Sequence, residues 1–460
     1  MLRKIACTKI KIARLGAAAA MTAGLSLARP VLADTHPVAP ALSSRVGAAY
    51  TIYLDFSGFN FSGNWGNNAS STPGSLAAYG SVASTGTFSS TQISNIENIW
   101  ARVSQEYIGY NVNVTTVDPA VAAGQAATDL SRQNYYDATA QLMHTVITPT
   151  NWSGGGGISY VGVTPNSQSG SNGYHTDFVY PSALANSLQA IGQAASHENG
   201  HGMGLSHQSD YTGNTLINEY STGTGTGAGS VAPVMGDSYS AQRGLWSVGT
   251  ADTNNGGAPT TQNDAQIIAN DRNNNFINDG VGHSITTPTA LAVTGNTINF
   301  NTDKGVIVPA SKTSPNPTGQ NNYQDDFWSF HTSGGAVSIK ANSGTEFLNA
   351  GTADPGSTLD ALLNLYNSSG TLVASTPFVS GSLSNTIATS LMAGDYTLQV
   401  LNAANATDTN PSYTTRNFYD MGAYFLSGSI PIPDSPTLLL FVAGALLLVI
   451  RPSRRQRTCD

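Results

Sequence analysis

The run His197-Glu198-Asn199-Gly200-His201-Gly202-Met203-Gly204-Leu205-Ser206-His207 constrains this chain more than any other stretch. On a helix, His197 and His201 lie four residues apart on one face, where both imidazoles can reach one cation. For His207 to reach the same cation, the helix must stop and the chain must turn. Gly204 can adopt the positive φ that such a stop needs. Glu198 follows the first histidine and is placed to serve as a general base beside the metal. A lone helical histidine pair is often a solvated or core pair, but a third histidine and a glycine at these offsets make that a poor account of the run. All-imidazole ligation favours Zn2+.

Upstream, the apolar positions Leu184, Leu188, Ile191 and Ala195 form the buried stripe of the helix that would deliver His197 and His201. Tyr50 to Phe56 alternates and is β-branched or aromatic, which predicts a strand. Ile96, Trp100, Val103 and Tyr107 recur at three and four, which predicts an amphipathic helix. Asn111 to Val117 alternates again and is stopped by Asp118-Pro119. Further short strands are expected at Thr145 to Ile147 and at Thr176 to Tyr180. Thr222 to Gly229 reads as a mobile loop, and Gln262 to Asn270 as a closing helix.

The pattern HExxHxxGxxH resembles the zinc signature of the metzincin metalloendopeptidases. The resemblance implies a methionine turn beneath the metal, and Met235 in Ala232-Pro233-Val234-Met235-Gly236-Asp237 is its candidate, bracketed by proline and glycine as a tight turn requires. Some members carry a tyrosine two residues after this methionine. Here Asp237 stands there, so Tyr239, four residues after, becomes the candidate transition-state contact. The resemblance also implies a strand on the cleft rim that pairs with an extended substrate, and Gly154 to Gly157 followed by Ile158 to Val163 occupies that place. The glycines are equally consistent with a flexible loop before an ordinary edge strand.

Residues 1–33 carry six Lys or Arg and no acid before an Ala- and Leu-rich run, the layout of a secretory signal peptide. At the other end, a Pro-rich motif at 431–436, an apolar run at 438–450 and four arginines resemble the sorting tails of exported bacterial surface proteins, including the PEP-CTERM type. The Pro-Asp-Ser-Pro core departs from the usual motif, and a plain tail anchor is the other reading. Both readings place the protein outside the inner membrane or at the cell surface, attached to the envelope membrane through this segment. The two ends hold ten of the 19 Lys and Arg but two of the 27 acids, leaving nine bases against 25 acids in between. That balance excludes a nucleic-acid binder with a basic footprint. Both cysteines, Cys7 and Cys459, sit in the ends, so no disulfide is expected to hold the remainder.

From about Ser284 the texture changes to short alternating runs at hairpin spacing, such as Val337 to Ala341, Leu363 to Tyr366 and Tyr396 to Val400. Asp325-Asp326-Phe327-Trp328, Leu359-Asp360 and Ala393 to Tyr396 resemble the pre-peptidase C-terminal module of secreted bacterial peptidases. The expected architecture is an α+β metzincin-like domain at 34–283, with a mixed twisted sheet and an active-site helix, then an all-β jelly-roll-like sandwich at 284–430 and an anchor segment at 431–460. The Asn- and Asp-rich stretch Asp271 to Asp279 adds a candidate Ca2+ site without the Gly and Glu positions of an EF-hand loop. His144, His175, His283 and His331 lack partner spacing and read as surface or structural residues. The expected function is hydrolysis of protein or peptide substrates; the alternatives are a non-catalytic surface protein with a structural zinc, or a zinc amidase. Oligomeric state is not legible in the sequence.

Overall fold

The computed structural model describes residues 35–66, 71–164, 173–224, 226–252, 258–271, 274–313, 316–317, 322–345, 356–403, 407–408 and 416–433. The expected signal peptide and most of the expected C-terminal anchor lie outside the described residues. Among the described residues no helix is long and apolar enough to cross a membrane.

The chain opens with strand β1 (Tyr50–Asp55), helix α1 (Ser90–Tyr107), strand β2 (Val112–Thr115), helix α2 (Asp129–Ala138) and strand β3 (Leu142–Ile147). Strand β4 (Gly157–Ile158), strand β5 (Thr176–Val179) and helix α3 (Leu188–Gly202) follow. The five strands form one sheet in the order β2-β1-β3-β5-β4, parallel throughout except for the antiparallel edge strand β4. Strands β1 and β3 are buried nearly end to end, as expected for a parallel sheet covered on both faces.

Helix α1 starts at a reciprocal cap: the Ser89 hydroxyl accepts from Gln92 N–H, and the Gln92 side chain accepts from Ser89 N–H. The four residues of the predicted stripe, Ile96, Trp100, Val103 and Tyr107, are buried, and Ile99, Ala101, Ser104, Gln105 and Glu106 are buried with them. Tyr107 donates to Ser196 O at 2.9 Å and thereby joins α1 to α3. Gly192 lets the two helices close, since a Cβ there would lie 3.0 Å from Arg102 Cβ. Side chains of α1, α3 and the sheet belong to one core, which also takes in much of the C-terminal β region.

Three expectations change in detail. The rim strand is two residues long rather than spanning Ile158 to Val163. The loop expected over Thr222 to Gly229 gives way at Gly227 to a strand, Gly227–Pro233, paired with Ala241–Leu245, because Val231 and Leu245 bury against Phe418. The closing helix begins at Asp264, where the Asn263 side chain caps it, and Thr260–Asn263 is a strand.

The C-terminal region is largely β. Asp326–Thr332, Ala361–Asn367 and Gly394–Asn402 pair in one sheet, and Lys304–Pro309, Gly335–Ser343, Ser384–Leu391 and Gly422–Ser429 in another. Trp328, Leu363 and Leu398 from the first and Ile339 and Leu426 from the second meet in the common core. The boundary expected at residue 283 does not separate two independent cores. Arg416–Phe418 pairs with Ser247–Asp252, and Arg243 forms a buried ion pair with Asp420 at 2.8 Å. Pro431 also stays with the β region, accepting from Ser333 N–H and the Thr332 hydroxyl.

Candidate metal centre

Helix α3 is capped by Ser187 and buries every residue from Ala190 to Gly202. Its end is set by Gly204 at φ +104°, and the Leu205 carbonyl then faces His201. The chain continues into a short strand, His207–Gln208, paired with Ala251 and Asp252. By this route His197, His201 and His207 offer ring nitrogens that all lie within 4.8 Å of one another, and the Nε2 atoms of His201 and His207 are 3.1 Å apart.

The other nitrogen of each ring is engaged. His197 Nδ1 lies 2.8 Å from Val234 O and His201 Nδ1 lies 2.7 Å from Leu205 O. His207 Nδ1 lies 2.9 Å from Glu219 Oε1. Each Nδ1 therefore donates its proton outward and leaves Nε2 as the lone pair facing the other two rings, the outer-shell pattern that holds metal-ligating imidazoles. Burial pushes the pKa of His197 well down and that of His201 down to about 3, and it lowers His207 against the opposing pull of Glu219. Neutral rings are the form that ligates. The donor set fits a tetrahedral cation with one open position.

Met235 lies under this layer. The Pro233–Gly236 turn closes through Gly236 N–H to Pro233 O, and Val234 presents the carbonyl that His197 uses. A Cβ on Gly200 would lie 2.5 Å from Met235 Sδ, so a side chain between the two helical histidines would displace the methionine beneath them. Gly236 is constrained likewise by Ser221 O, 2.4 Å from where its Cβ would sit.

Glu198 is buried in the wall of a cleft of about 540 Å³ that also contains the three histidines, the backbone of Gly155 to Ser159, Tyr220 and Tyr239. Burial, and next the Asp177 carboxyl, raise the Glu198 pKa well above the usual range. A positive charge held by the histidines would favour the ionised form that burial disfavours. Gly157 of the rim strand packs directly on this side chain: a Cβ would lie 2.4 Å from Glu198 Oε1. At Gly157, then, the glycine makes room for the acid of the site itself.

Residues 98–208 match the Metallo-peptidase family M12B Reprolysin-like. The matched span runs from within α1 through the sheet to His207, and so contains all three histidines and Glu198. No curated protein matches the chain. Among solved structures it is similar to the 1.0 Å crystal structure of the pre-peptidase C-terminal domain of collagenase from Bacillus anthracis, with 14% identity and a TM-score of 0.17, over 31% of this chain and 93% of that one.

Within this metallopeptidase-like span and just beyond it, the structure also brings in residues that the sequence pattern does not single out. Tyr220 lays its ring 4.4 Å, centroid to centroid, from His207 and 6.1 Å from His197. Its pKa is pushed up to about 12 by burial, by Glu219 and by Glu198. Tyr239 also reaches the cleft, near Gly156, and Asp237 lines it too, its backbone N–H donating to Ser221 O and its carboxylate accepting from Tyr239 N–H at 3.3 Å. Two tyrosines thus line the site where the spacing pointed to one. Glu219 and Tyr220 sit in no periodic pattern, and only the fold makes them neighbours of His207.

Among the described residues of the Asp271 to Asp279 stretch, Asp279 offers a ligand atom to a second cluster that could hold a metal ion. Asp271 accepts from the Thr164 hydroxyl at 2.7 Å, whereas Asp279 sits with His283 and Asp326, and residues 272–273 lie outside the described residues. The remaining histidines take structural places: His144 is buried against Tyr53 and Asp55, His175 is buried, and His331 is exposed beside Asp395.

Proposed function

We propose that this chain is a zinc-dependent endopeptidase of an exported, extracellular or surface-attached protein. The observation that carries the reading is the convergence of three neutral imidazoles beside a buried glutamate in one open cleft. The match of residues 98–208 to a metallopeptidase family supports the same class. Held by His197, His201 and His207, zinc would supply Lewis-acid polarisation of a scissile carbonyl and acidify a water for attack. Glu198 takes the proton of the attacking water and delivers it to the leaving nitrogen. The outward Nδ1 bonds keep the three rings oriented without further reorganisation. Tyr220 and Tyr239 supply phenol groups to the cleft wall, where a developing oxyanion can be stabilised.

A peptide is the substrate class that the rim suits. Strand β4 is the last strand of its sheet and lines the cleft, so an extended backbone can add to its outer edge. The export reading rests on the composition of the two ends.

The test is digestion of casein or gelatin by wild type and Glu198→Ala, each with and without a chelator, alongside zinc analysis. Wild type is expected to cleave only with metal, and the variant to keep one zinc per chain while turnover falls by about 10³-fold or more. Equal inertness of the two, both with stoichiometric zinc, would instead favour a structural metal in a non-catalytic surface protein.

A further inference from the structure

We propose that Arg416 is a positioning residue of the metal centre, which fixes the third histidine from the far end of the chain; this rests on the reading of the three histidines as one metal site. His197 and His201 are built into a helix, but His207 lies beyond its end on a two-residue strand. That strand pairs with Ala251 and Asp252, and the same strand, Ser247–Asp252, pairs at its other end with Arg416–Phe418. Arg416 is thereby carried under the segment that leaves His207, where its side chain is fully buried.

Its guanidinium spans three stretches of chain. Nε donates to Gln208 Oε1 at 3.2 Å, Nη1 to Asp210 Oδ1 at 3.3 Å and to the Ser221 hydroxyl, and Nη2 to Ser209 O at 3.0 Å and Thr250 O at 3.4 Å. Gln208 is the neighbour of His207. Ser221 is the neighbour of Tyr220 and lies two residues from Glu219, whose carboxylate takes His207 Nδ1. Ser221 N–H already donates to Gln208 O and the Ser209 hydroxyl to Glu219 O, and the Arg416 side chain braces this spacing between the third histidine and the carboxylate that orients it. The fork geometry and five donors of arginine suit this task, and a lysine cannot reproduce them. Space is kept for it: a Cβ on Gly249 would lie 2.6 Å from Arg416 Nε.

It follows that the metal centre is complete only when the strand Arg416–Phe418 has docked, although the helix and both of its histidines are formed well before that point in the sequence. Any cation held before docking would have two fixed ligands and one loose one.

Zinc affinity of the full chain, read by competition with a chromophoric chelator, tests this without reference to turnover. The set is wild type, Arg416→Lys, Ser221→Ala, His207→Ala and the double variant Arg416→Lys/His207→Ala. Arg416→Lys is expected to weaken zinc by about 10- to 100-fold, in line with loss of an outer-shell support, and to add nothing once His207 is gone. Ser221→Ala is expected to weaken it by a few-fold and to show the same dependence on His207; should Arg416→Lys fail to fold by circular dichroism, this milder variant carries the cycle. Wild-type affinity in a folded Arg416→Lys, or equal losses with and without His207, overturns the proposal. Unchanged affinity in His207→Ala alone instead removes the three-histidine reading on which it rests.

Discussion

His197 and His201 are placed by fifteen consecutive residues, whereas His207 is placed by contacts with Glu219, with Ala251 and Asp252, and with a segment held from as far along the chain as Arg416. The helical pair is buried in the core, rests on Met235 through Gly200, and donates to backbone carbonyls. The third histidine is partly exposed, and its outward partner is a half-exposed carboxylate. Local spacing is enough to put two ligands on one helix face. Bringing a third from outside the helix takes loop ordering, and that ordering comes from tertiary contacts. The helical side should therefore resist perturbation through the core, and the loop side should yield to single polar changes.

Outside the ligands and Glu198, the largest expected effect probes the core where α1 meets α3. Glu106 of α1 is fully buried, accepts from Gln193 of α3 at 2.7 Å, and has its pKa raised by burial from 4.5 to about 8. Between about pH 4.5 and pH 8 the folded chain keeps a proton that the unfolded chain releases, so stability is greatest below this window and falls as pH rises through it. Other buried carboxyls share the slope, so Glu106→Gln is expected to flatten it only in part and to gain a few kcal/mol over wild type at pH 8, about a hundredfold in the folding equilibrium. Urea unfolding at pH 5 and pH 8 measures this, and parallel pH dependence in the two proteins would sink it.

Next comes the rim over the general base. Gly157→Ala pushes a methyl into the space of the Glu198 carboxylate, so turnover is expected to fall by about 10- to 100-fold while zinc affinity holds. A loss of zinc without loss of turnover per bound metal would show that the glycine serves the ligands instead.

The smallest effect is on the loop side. Glu219→Gln keeps the shape of the His207 partner but removes its charge, and zinc is expected to bind about tenfold more weakly, at the low end for an outer-shell change because the carboxylate is half exposed. Titration with zinc under competition reads it, and an effect as large as that of His207→Ala would place Glu219 among the ligands.

The same contrast explains how much of the molecule was legible in its sequence. The helix stripe at Ile96, Trp100, Val103 and Tyr107 and the spacing of His197 and His201 are periodic signals, and the structure has those helices. Gly204 could be read because a helix that must stop needs a positive φ. By contrast, Glu219, Tyr220, Asp177, Glu106 and Arg416 have no spacing to betray them, since their roles arise from contacts between distant segments. Tyr239 was singled out only by its nearness to Met235, and the structure puts Tyr220 in the cleft beside it. A change of texture near Ser284 carries no sign that Arg416–Phe418 pairs with the strand that also pairs with His207 and Gln208.

X-ray absorption at the zinc edge, on the full chain loaded with one equivalent of zinc, tests the three-histidine centre most directly. The account predicts three imidazole nitrogens and one oxygen at about 2.0–2.1 Å in wild type, with one imidazole lost in His207→Ala. A wild-type spectrum with two imidazoles or fewer, or one that His207→Ala leaves unchanged, would contradict it.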